Sequence, residues 1–336
     1  MKLLYIGNKL SKYGFTPTGV ETLGEKLKEL CSVILVSDKK IRIIRLFDMI
    51  WAIIKNRKTL DYVIFDTYSG KALYYVLICS ILCQKLNKKY ITILHGGNLP
   101  RQLQKNRFFV KKIFQNSLFN ITPSTYLKNR LKIFGFKIQY IPNYIDFEKY
   151  NFKKRVKISP KLLWVRSFHK VYNPLMAIYV LKELTKCFSD AELCMVGPDK
   201  DGTINKCKNL AKELGILDKI TFTGLLSKND WISLSESYDI FINTTNYDNQ
   251  PVSVIEAMAL GFPIVSTNAG GLKYLHEEGK DVLFVRKNAV NEMAIKIKSL
   301  INGNYDDCNL SENSRKKAKL FSWDAIKNSW YEILLK

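Results

Sequence analysis

Several features that define common protein classes are scarce in this 336-residue chain. No apolar run reaches the ~18 residues of a membrane-spanning helix. The longest, residues 72–86, contains Ser80 and Gln84 and predicts a helix packed on a sheet. The chain has seven scattered cysteines and no Cys-x-x-Cys pair, so we expect reduced thiols in a cytoplasmic protein, with Cys79 and Cys83 in a core. The opening MKLLYIG predicts a β-strand and not a signal peptide.

Acidic residues are scarce in the first half of the chain. Residues 1–155 contain 29 Lys and Arg against 9 Asp and Glu, whereas the remainder contains 24 against 21. Almost all of the net charge of +23 therefore lies in the N-terminal half. Such a charge attracts nucleic acid, anionic lipid or a polyanionic substrate. Because no RNP, zinc-finger or helix-turn-helix signature is present, we do not expect nucleic acid as a partner.

Two basic segments could contact a membrane surface. Residues 39–60 predict a helix with a broad apolar face and basic ends, which suits a membrane interface. Packing on a sheet explains this helix equally simply and is the favoured interpretation. Residues 101–112 mix five cations with Phe108, Phe109 and Val110, and this combination also suits a lipid interface.

Strand and helix patterns alternate along the chain in two series. With 47% hydrophobic residues and 336 positions, the chain can form two globular α/β domains. The polar, basic stretch from Glu148 to Pro160 predicts a linker between the two series. We therefore expect two Rossmann-like domains with parallel sheets, over residues 1–155 and 156–315, followed by a C-terminal helix in residues 316–336. Ser322 is the expected N-cap of this last helix.

The densest polar chemistry lies between Asp239 and Gly271. This stretch predicts a strand, a loop, a helix with Pro251 in its first turn and ending at Gly261, and a second strand. The backbone N–H groups at the start of that helix have no partner within the helix and suit a phosphate. They belong to Asn249, Gln250, Pro251, Val252 and Ser253, of which only Pro251 lacks an N–H. Glu256 inside the helix and Asp248 before it could each accept hydrogen bonds from sugar hydroxyls. An ordinary βα unit with a solvated Asp and a helix-surface Glu would also explain these residues.

Other polar residues follow predicted strands. Arg166 ends the first strand of the second domain, where its fork of donors could hold a diphosphate, and Lys170 lies four residues later. His95 ends the fourth strand of the first domain, at the edge where α/β ligands bind. A histidine bonded within its own loop is the alternative interpretation of His95.

The segment PVSVIEAMALGFPIVSTNAGG, with Asp248 before it, resembles the donor-site signature of family-4 retaining glycosyltransferases. The two acids of that signature are separated by seven residues, as Asp248 and Glu256 are here. The family more often has Glu at the first position, and its Lys follows the Arg by about five residues instead of four.

This resemblance implies the GT-B fold, with the two sheets facing a cleft and the last helix returning to the N-terminal domain. It implies transfer of a sugar from a nucleotide-sugar, with UDP favoured as the nucleotide, without a metal or other cofactor. Glu256 would hold the donor ribose, Asp248 the donor sugar, and Arg166 and Lys170 the diphosphate. His95 would lie beside the transferred sugar, Gly19 near the diphosphate, and Gly197 and Gly224 near the nucleotide base.

The resemblance and the basic N-terminal half together imply a saccharide acceptor, lipid-linked, in bacterial surface polysaccharide synthesis. The protein would then be cytoplasmic and peripheral at the inner face of the membrane, with anionic lipid as a partner. Two alternatives stay open. One is a sugar-nucleotide epimerase or hydrolase of the same fold, and the other is a non-enzymatic basic membrane-surface-binding protein with a decayed donor site.

Overall fold

The structure, a computed structural model, describes residues 1–105, 107–304 and 307–335. Its chain divides into two compact units, one formed by Met1–Tyr144 with Ile326–Lys336 and the other by Ile145–Ala325. The sequence places the domain boundary about ten residues later, at 155/156. Each unit contains one six-stranded parallel sheet, which confirms the predicted α/β class with two Rossmann-like domains.

The first unit alternates strands and helices. Its strands are β1 (Lys2–Ile6), β2 (Ser32–Val36), β3 (Tyr62–Thr67), β4 (Lys89–Leu94), β5 (Phe119–Thr122) and β6 (Ile138–Tyr140). Its helices are α1 (Gly19–Leu27), α2 (Arg42–Asn56), α3 (Leu73–Lys85), α4 (Leu99–Lys105), α5 (Arg107–Gln115) and α6 (Thr125–Lys132). The strand order is β2-β1-β3-β4-β5-β6, and every pair is parallel.

The second unit repeats this alternation. Its strands are β7 (Lys161–Val165), β8 (Glu192–Val196), β9 (Ile220–Gly224), β10 (Ile240–Asn243), β11 (Ile264–Thr267) and β12 (Leu283–Val285), in the order β12-β11-β10-β7-β8-β9. The helices that follow are α7 (Pro174–Thr185), α8 (Thr203–Glu213), α9 (Lys228–Ser235), α10 (Val252–Ala259), α11 (Leu272–Leu275), α12 (Val290–Ile301) and α13 (Asp307–Lys319). The last helix, α14 (Trp323–Leu334), belongs to the first unit from Ile326 onward.

The helix boundaries follow local chemistry. Pro251 has extended backbone (ψ 109°) and precedes α10 as its N-cap, one residue earlier than the predicted first-turn position. The predicted end at Gly261 is confirmed, because Gly261 has a φ of 77°, which a residue with a Cβ rarely adopts. The predicted Ser322 N-cap of α14 is also confirmed, since the Ala325 N–H donates to its hydroxyl at 3.2 Å.

The long apolar segments of the first unit pack on its sheet. Met49, Ala52 and Ile53 of α2 are buried, as the favoured interpretation predicts, and so are Cys79 and Cys83 of α3. In the described part of the chain, no helix is long and apolar enough to cross a membrane. Of the basic aromatic segment 101–112, the side chains of residues 106–110 lie outside the described residues.

The stretch predicted as a linker places buried side chains in the second unit, between residues that are exposed. Tyr150 and Arg155 are both buried. The Arg155 guanidinium donates to the carbonyl oxygens of Tyr238 and Leu260 at 3.1 and 3.0 Å, and it lies 3.6 Å from the centre of the Phe262 ring. Charge alone suggested a solvated segment, but a guanidinium can be buried when carbonyl oxygens and an aromatic face replace its water.

Candidate active site

In the second unit, polar residues meet at the point where the order of the strands in the sheet reverses. From β7 the chain moves outward to β8 and β9, and then returns to β10 on the other side of β7. Arg166 directly follows β7, and Asp248 lies in the loop that follows β10. The carboxyl ends of strands at such a switch point form the usual ligand crevice of open α/β sheets.

Arg166 and Asp248 form an ion pair in this crevice. A guanidinium nitrogen, Nη2, contacts Asp248 Oδ2, and the guanidinium carbon lies 4.4 Å from the centre of the Tyr172 ring. Arg166 Nε is buried without a hydrogen-bond partner. Burial lowers the pKa of Arg166, and the charges of Tyr172 and Glu256 oppose that shift. The cation therefore has an unused donor and little access to water, an environment that favours an incoming anion.

Glu256 lies inside α10 and is buried. Its Oε1 accepts a hydrogen bond from the Tyr150 hydroxyl at 2.8 Å and contacts the ammonium group of Lys228, whose side chain is 56% exposed. The described hydrogen bonds of this carboxylate are all at Oε1. Glu256 is thus a buried acid with a cation at its solvent side, unlike a carboxylate on an open helix surface.

The start of α10 lies beside these residues. Val252 and Ser253 belong to its first turn, whose N–H groups an α-helix does not itself satisfy. Before the helix, the Tyr247 hydroxyl donates to Asn249 Oδ1 at 3.0 Å, and Gln250 is buried. The positive end of the helix dipole and the Arg166 cation therefore lie in the same region, and both favour a negative ligand.

Glycine residues let the backbone approach this region closely. A Cβ on Gly270 would lie 2.1 Å from the Asp248 carbonyl oxygen, and its φ is +63°. A Cβ on Gly197 would lie 1.9 Å from the Arg166 carbonyl oxygen, while its N–H donates to Gly224 O at 2.8 Å. Gly197 hence lets the backbone after β8 lie directly against Arg166, and Gly224 accepts the Gly197 N–H hydrogen bond.

Lys170 lies outside the two ion pairs. It is exposed, it forms no ion pair among the residues described, and its backbone N–H donates to Asp201 Oδ2 at 3.1 Å. Asp201 is part of an Asp199–Lys200–Asp201 triplet, and its other carboxylate oxygen, Oδ1, accepts from Thr203. Over the described ranges, no group of three or more His, Cys, Asp or Glu side chains could hold a metal ion.

In the first unit, the predicted site residues His95 and Gly19 both lie beside Asp66. The buried Asp66 carboxylate accepts from the Tyr5 hydroxyl at 2.7 Å and the Val20 N–H at 3.0 Å, and it lies 3.1 Å from His95 Nε2. A Cβ on Gly19 would lie 2.9 Å from Asp66 Oδ1. The Asp66 carboxylate therefore lies at the start of α1. Its close approach explains the glycine at position 19 without any diphosphate.

The profile of the family described as Glycosyl transferases group 1 matches residues 146–319, just over half of the chain. The chain belongs to this family. The matched range includes Arg166, Lys170, Asp248 and Glu256.

Curated relatives resemble this glycosyltransferase over part of its length. An uncharacterized glycosyltransferase of Haemophilus influenzae is 30% identical over 49% of this chain and 46% of its own length. Protein CapJ of Staphylococcus aureus is 25% identical over 71% of this chain and 63% of its own length. The chain thus spans about half to two-thirds of the length of these relatives.

A solved structure shows the same fold. Anabaena HepE in complex with UDP-glucose superposes with a TM-score of 0.79 at 17% identity, covering 100% of this chain and 99% of HepE. This similarity confirms the predicted GT-B fold.

Sequence reasoning missed three residues of this glycosyltransferase that the structure places against predicted site residues. Tyr150 lies in the stretch predicted as a linker, Lys228 begins α9, and Asp66 is the penultimate residue of β3. Asp66 carried a usable signal, because it lies near the carboxyl end of a buried strand, at the ligand edge. Tyr150 and Lys228 are 106 and 28 residues away from Glu256, and no local pattern links them to it.

Proposed function

We propose that this glycosyltransferase transfers a sugar, with retention of anomeric configuration, from a nucleotide-sugar to a saccharide acceptor. The observation that carries the proposal is the Arg166–Asp248 pair at the sheet's switch point, next to the start of α10. This pair brings a partly buried cation, a helix N-terminus and two acids into one region, which matches the alternating phosphates and hydroxyls of a nucleotide-sugar.

Donor binding would exchange the internal partners of these residues. The diphosphate would take over the Arg166 guanidinium, using its unpaired Nε as well, and the first turn of α10 would stabilise the same charge. Asp248, released from Arg166, would accept hydrogen bonds from the donor sugar. Glu256 would accept from the ribose hydroxyls through Oε2 while Tyr150 and Lys228 hold Oε1.

In the transfer step, the bond between the anomeric carbon and the diphosphate oxygen breaks, the acceptor hydroxyl oxygen forms the new bond to that carbon, and the hydroxyl proton passes to the departing diphosphate oxygen. Negative charge grows on the departing diphosphate, where Arg166 and the α10 N-terminus would stabilise it. Lys170, exposed in the loop after β7, would add a further cation to this leaving group. We propose that no metal ion takes part. The part of His95 in the reaction stays a prediction.

We propose UDP as the nucleotide and a lipid-linked saccharide of bacterial surface polysaccharide synthesis as the acceptor. The UDP proposal is supported by the fold shared with HepE, which was solved with UDP-glucose. The acceptor proposal is supported by the excess of 20 positive charges in residues 1–155, which would hold the enzyme at the anionic inner face of the cytoplasmic membrane.

A thermal-shift panel of UDP-, GDP- and ADP-sugars without added metal tests the donor proposal. A ligand at about 100 times its Kd should stabilise the folded protein by about 2.7 kcal/mol, a rise of several degrees in Tm. Incubation of the stabilising donor with and without saccharide acceptors then separates transfer from hydrolysis or epimerisation, since those release free or isomerised sugar without an acceptor. Absence of any stabilising donor would contradict the proposed function.

A further inference from the structure

The helix α2 exposes an apolar face on the side opposite its buried one. Ile43, Phe47 and Trp51 are 68%, 65% and 62% exposed, and Ile44 is exposed as well. With about 100° of rotation per residue, these four side chains fall within an arc of about 100°, opposite the arc that buries Met49 and Ile53. Together they present roughly 500 Å² of accessible surface, as much as the largest apolar patch of an ordinary monomer.

The neighbouring helix α3 extends this face. Tyr74, Ile78 and Ile81 are exposed and recur at spacings of four and three residues, which places them on one side of α3. The Tyr75 hydroxyl lies 3.4 Å from the Arg42 carbonyl oxygen, so the starts of the two helices adjoin. Right-handed β2–α2–β3 and β3–α3–β4 crossovers that progress in one direction also place α2 and α3 on the same face of the sheet.

The charged residues around this face are almost all cations. Lys39, Lys40 and Arg42 lie at the start of α2, and Lys55, Arg57 and Lys58 lie at its end; all six are exposed. The single acid between residues 39 and 58 is Asp48, which is half-buried and accepts a hydrogen bond from the Ser37 hydroxyl. Residues 71–89 contain no acid.

We propose that the outward face of α2 and α3 is a membrane-docking surface whose aromatic and aliphatic side chains insert into a bilayer that contains anionic lipid. Aromatic and aliphatic side chains flanked by Lys and Arg suit the interface between membrane and water, because the apolar groups enter the region of the acyl chains while the cations contact the anionic headgroups. The purpose of this docking rests on the proposed function, since a lipid-linked acceptor would require it. The surface itself does not depend on the donor chemistry.

Charge complementarity selects lipid over a second copy of the chain. In a twofold dimer through this face, the cations at the ends of α2 would meet the same cations of the other copy, and like charges at an interface are unfavourable. An anionic membrane supplies the opposite charge over the whole face.

Trp51 provides a direct measurement. The other four tryptophans, Trp164, Trp231, Trp323 and Trp330, are buried. Adding vesicles of phosphatidylcholine with about 30% phosphatidylglycerol to the full chain should shift the Trp emission to the blue, and brominated lipid should quench it. Trp51→Phe should keep vesicle binding in co-sedimentation and lose both optical signals.

Phe47→Glu tests the apolar contribution, with Ile295→Glu as the matched control. Ile295 is 62% exposed on α12 in the second unit. Phe47→Glu should weaken vesicle binding by about tenfold or more, whereas Ile295→Glu should leave it unchanged. Both substitutions lie on the surface, and unchanged melting temperatures will show that both variants fold.

Three outcomes would overturn the proposal: no binding to anionic vesicles, binding without Trp51 quenching, or binding that Phe47→Glu leaves intact. If light scattering instead shows a dimer without lipid that Phe47→Glu dissociates, a second copy occupies the face and the proposal is wrong. Donor binding is measured on the same variants by thermal shift. Vesicle binding without any nucleotide-sugar stabilisation would uphold this surface and contradict the proposed function.

Discussion

Replacing Glu256 by Gln should separate a donor-binding role from a structural role of this residue. Gln has nearly the same shape, and its amide oxygen can still accept the Tyr150 hydroxyl hydrogen bond of 2.8 Å. The substitution removes the negative charge that contacts Lys228 and that, in the proposed complex, accepts hydrogen bonds from the ribose.

The two consequences differ in size. Because the Lys228 side chain is 56% exposed, its ion pair with Glu256 is screened by solvent and contributes about 0–1 kcal/mol to folding. A ribose hydroxyl donating to a buried carboxylate contributes about 1.5–3 kcal/mol. We therefore expect a change in Tm of a few degrees at most and a loss of donor affinity of roughly 10- to 100-fold.

Isothermal titration with the nucleotide-sugar that stabilises the wild type measures the affinity, and thermal melting without ligand measures the stability. Glu278→Gln is the matched control, because Glu278 pairs with Lys296 on the surface of the same unit. It should leave donor affinity unchanged. Unaltered donor affinity in Glu256→Gln, with a clear loss of Tm, would refute the binding role and leave Glu256 as a structural acid.

Substitutions at three further positions test other parts of the structure. Gly270→Ala should destabilise the protein by about 1–3 kcal/mol in urea unfolding, since its φ of +63° disfavours a Cβ that would also meet the Asp248 carbonyl at 2.1 Å; an unchanged midpoint would contradict this close approach. Asp66→Ala should cost about 2–5 kcal/mol because it leaves the Tyr5 hydroxyl and other buried donors unpaired, whereas Asp66→Asn, which keeps an acceptor, should cost less. Burial lowers the pKa of His276, so as the pH falls this side chain takes up a proton in the unfolded chain before it does so in the folded chain. The stability of the folded chain should therefore fall as the pH drops below about 6.5. His276→Gln should lessen that fall between pH 7 and 5 in pH-dependent melting, and an identical slope would exclude His276 as its source.

The local periodicity of the sequence predicted most of the fold. Alternating short apolar strands and amphipathic helices gave both series of βα units, and Gly261 and Ser322 marked helix ends through backbone and capping chemistry that acts within a few residues. The acids Asp248 and Glu256 could be recognised because their spacing and their place around one helix are local properties. Tertiary packing was harder to predict from the sequence. Tyr150 and Arg155 lie in a stretch whose charge suggested a solvated linker, yet both are buried.

The sequence by itself determined the fold class, the strand ends that carry polar residues, and the choice of the acids and the arginine that are proposed for the donor site. Only the tertiary structure decided which side chains meet there: Arg166 pairs with Asp248 across 82 positions, and Glu256 meets Tyr150 across 106. It also decided that α2 has one apolar face on the sheet and another exposed. The physical reason is that helix hydrogen bonds, helix caps and the alternation of side chains along a strand are set by neighbours in sequence, whereas burial and ion pairing depend on which strands lie side by side.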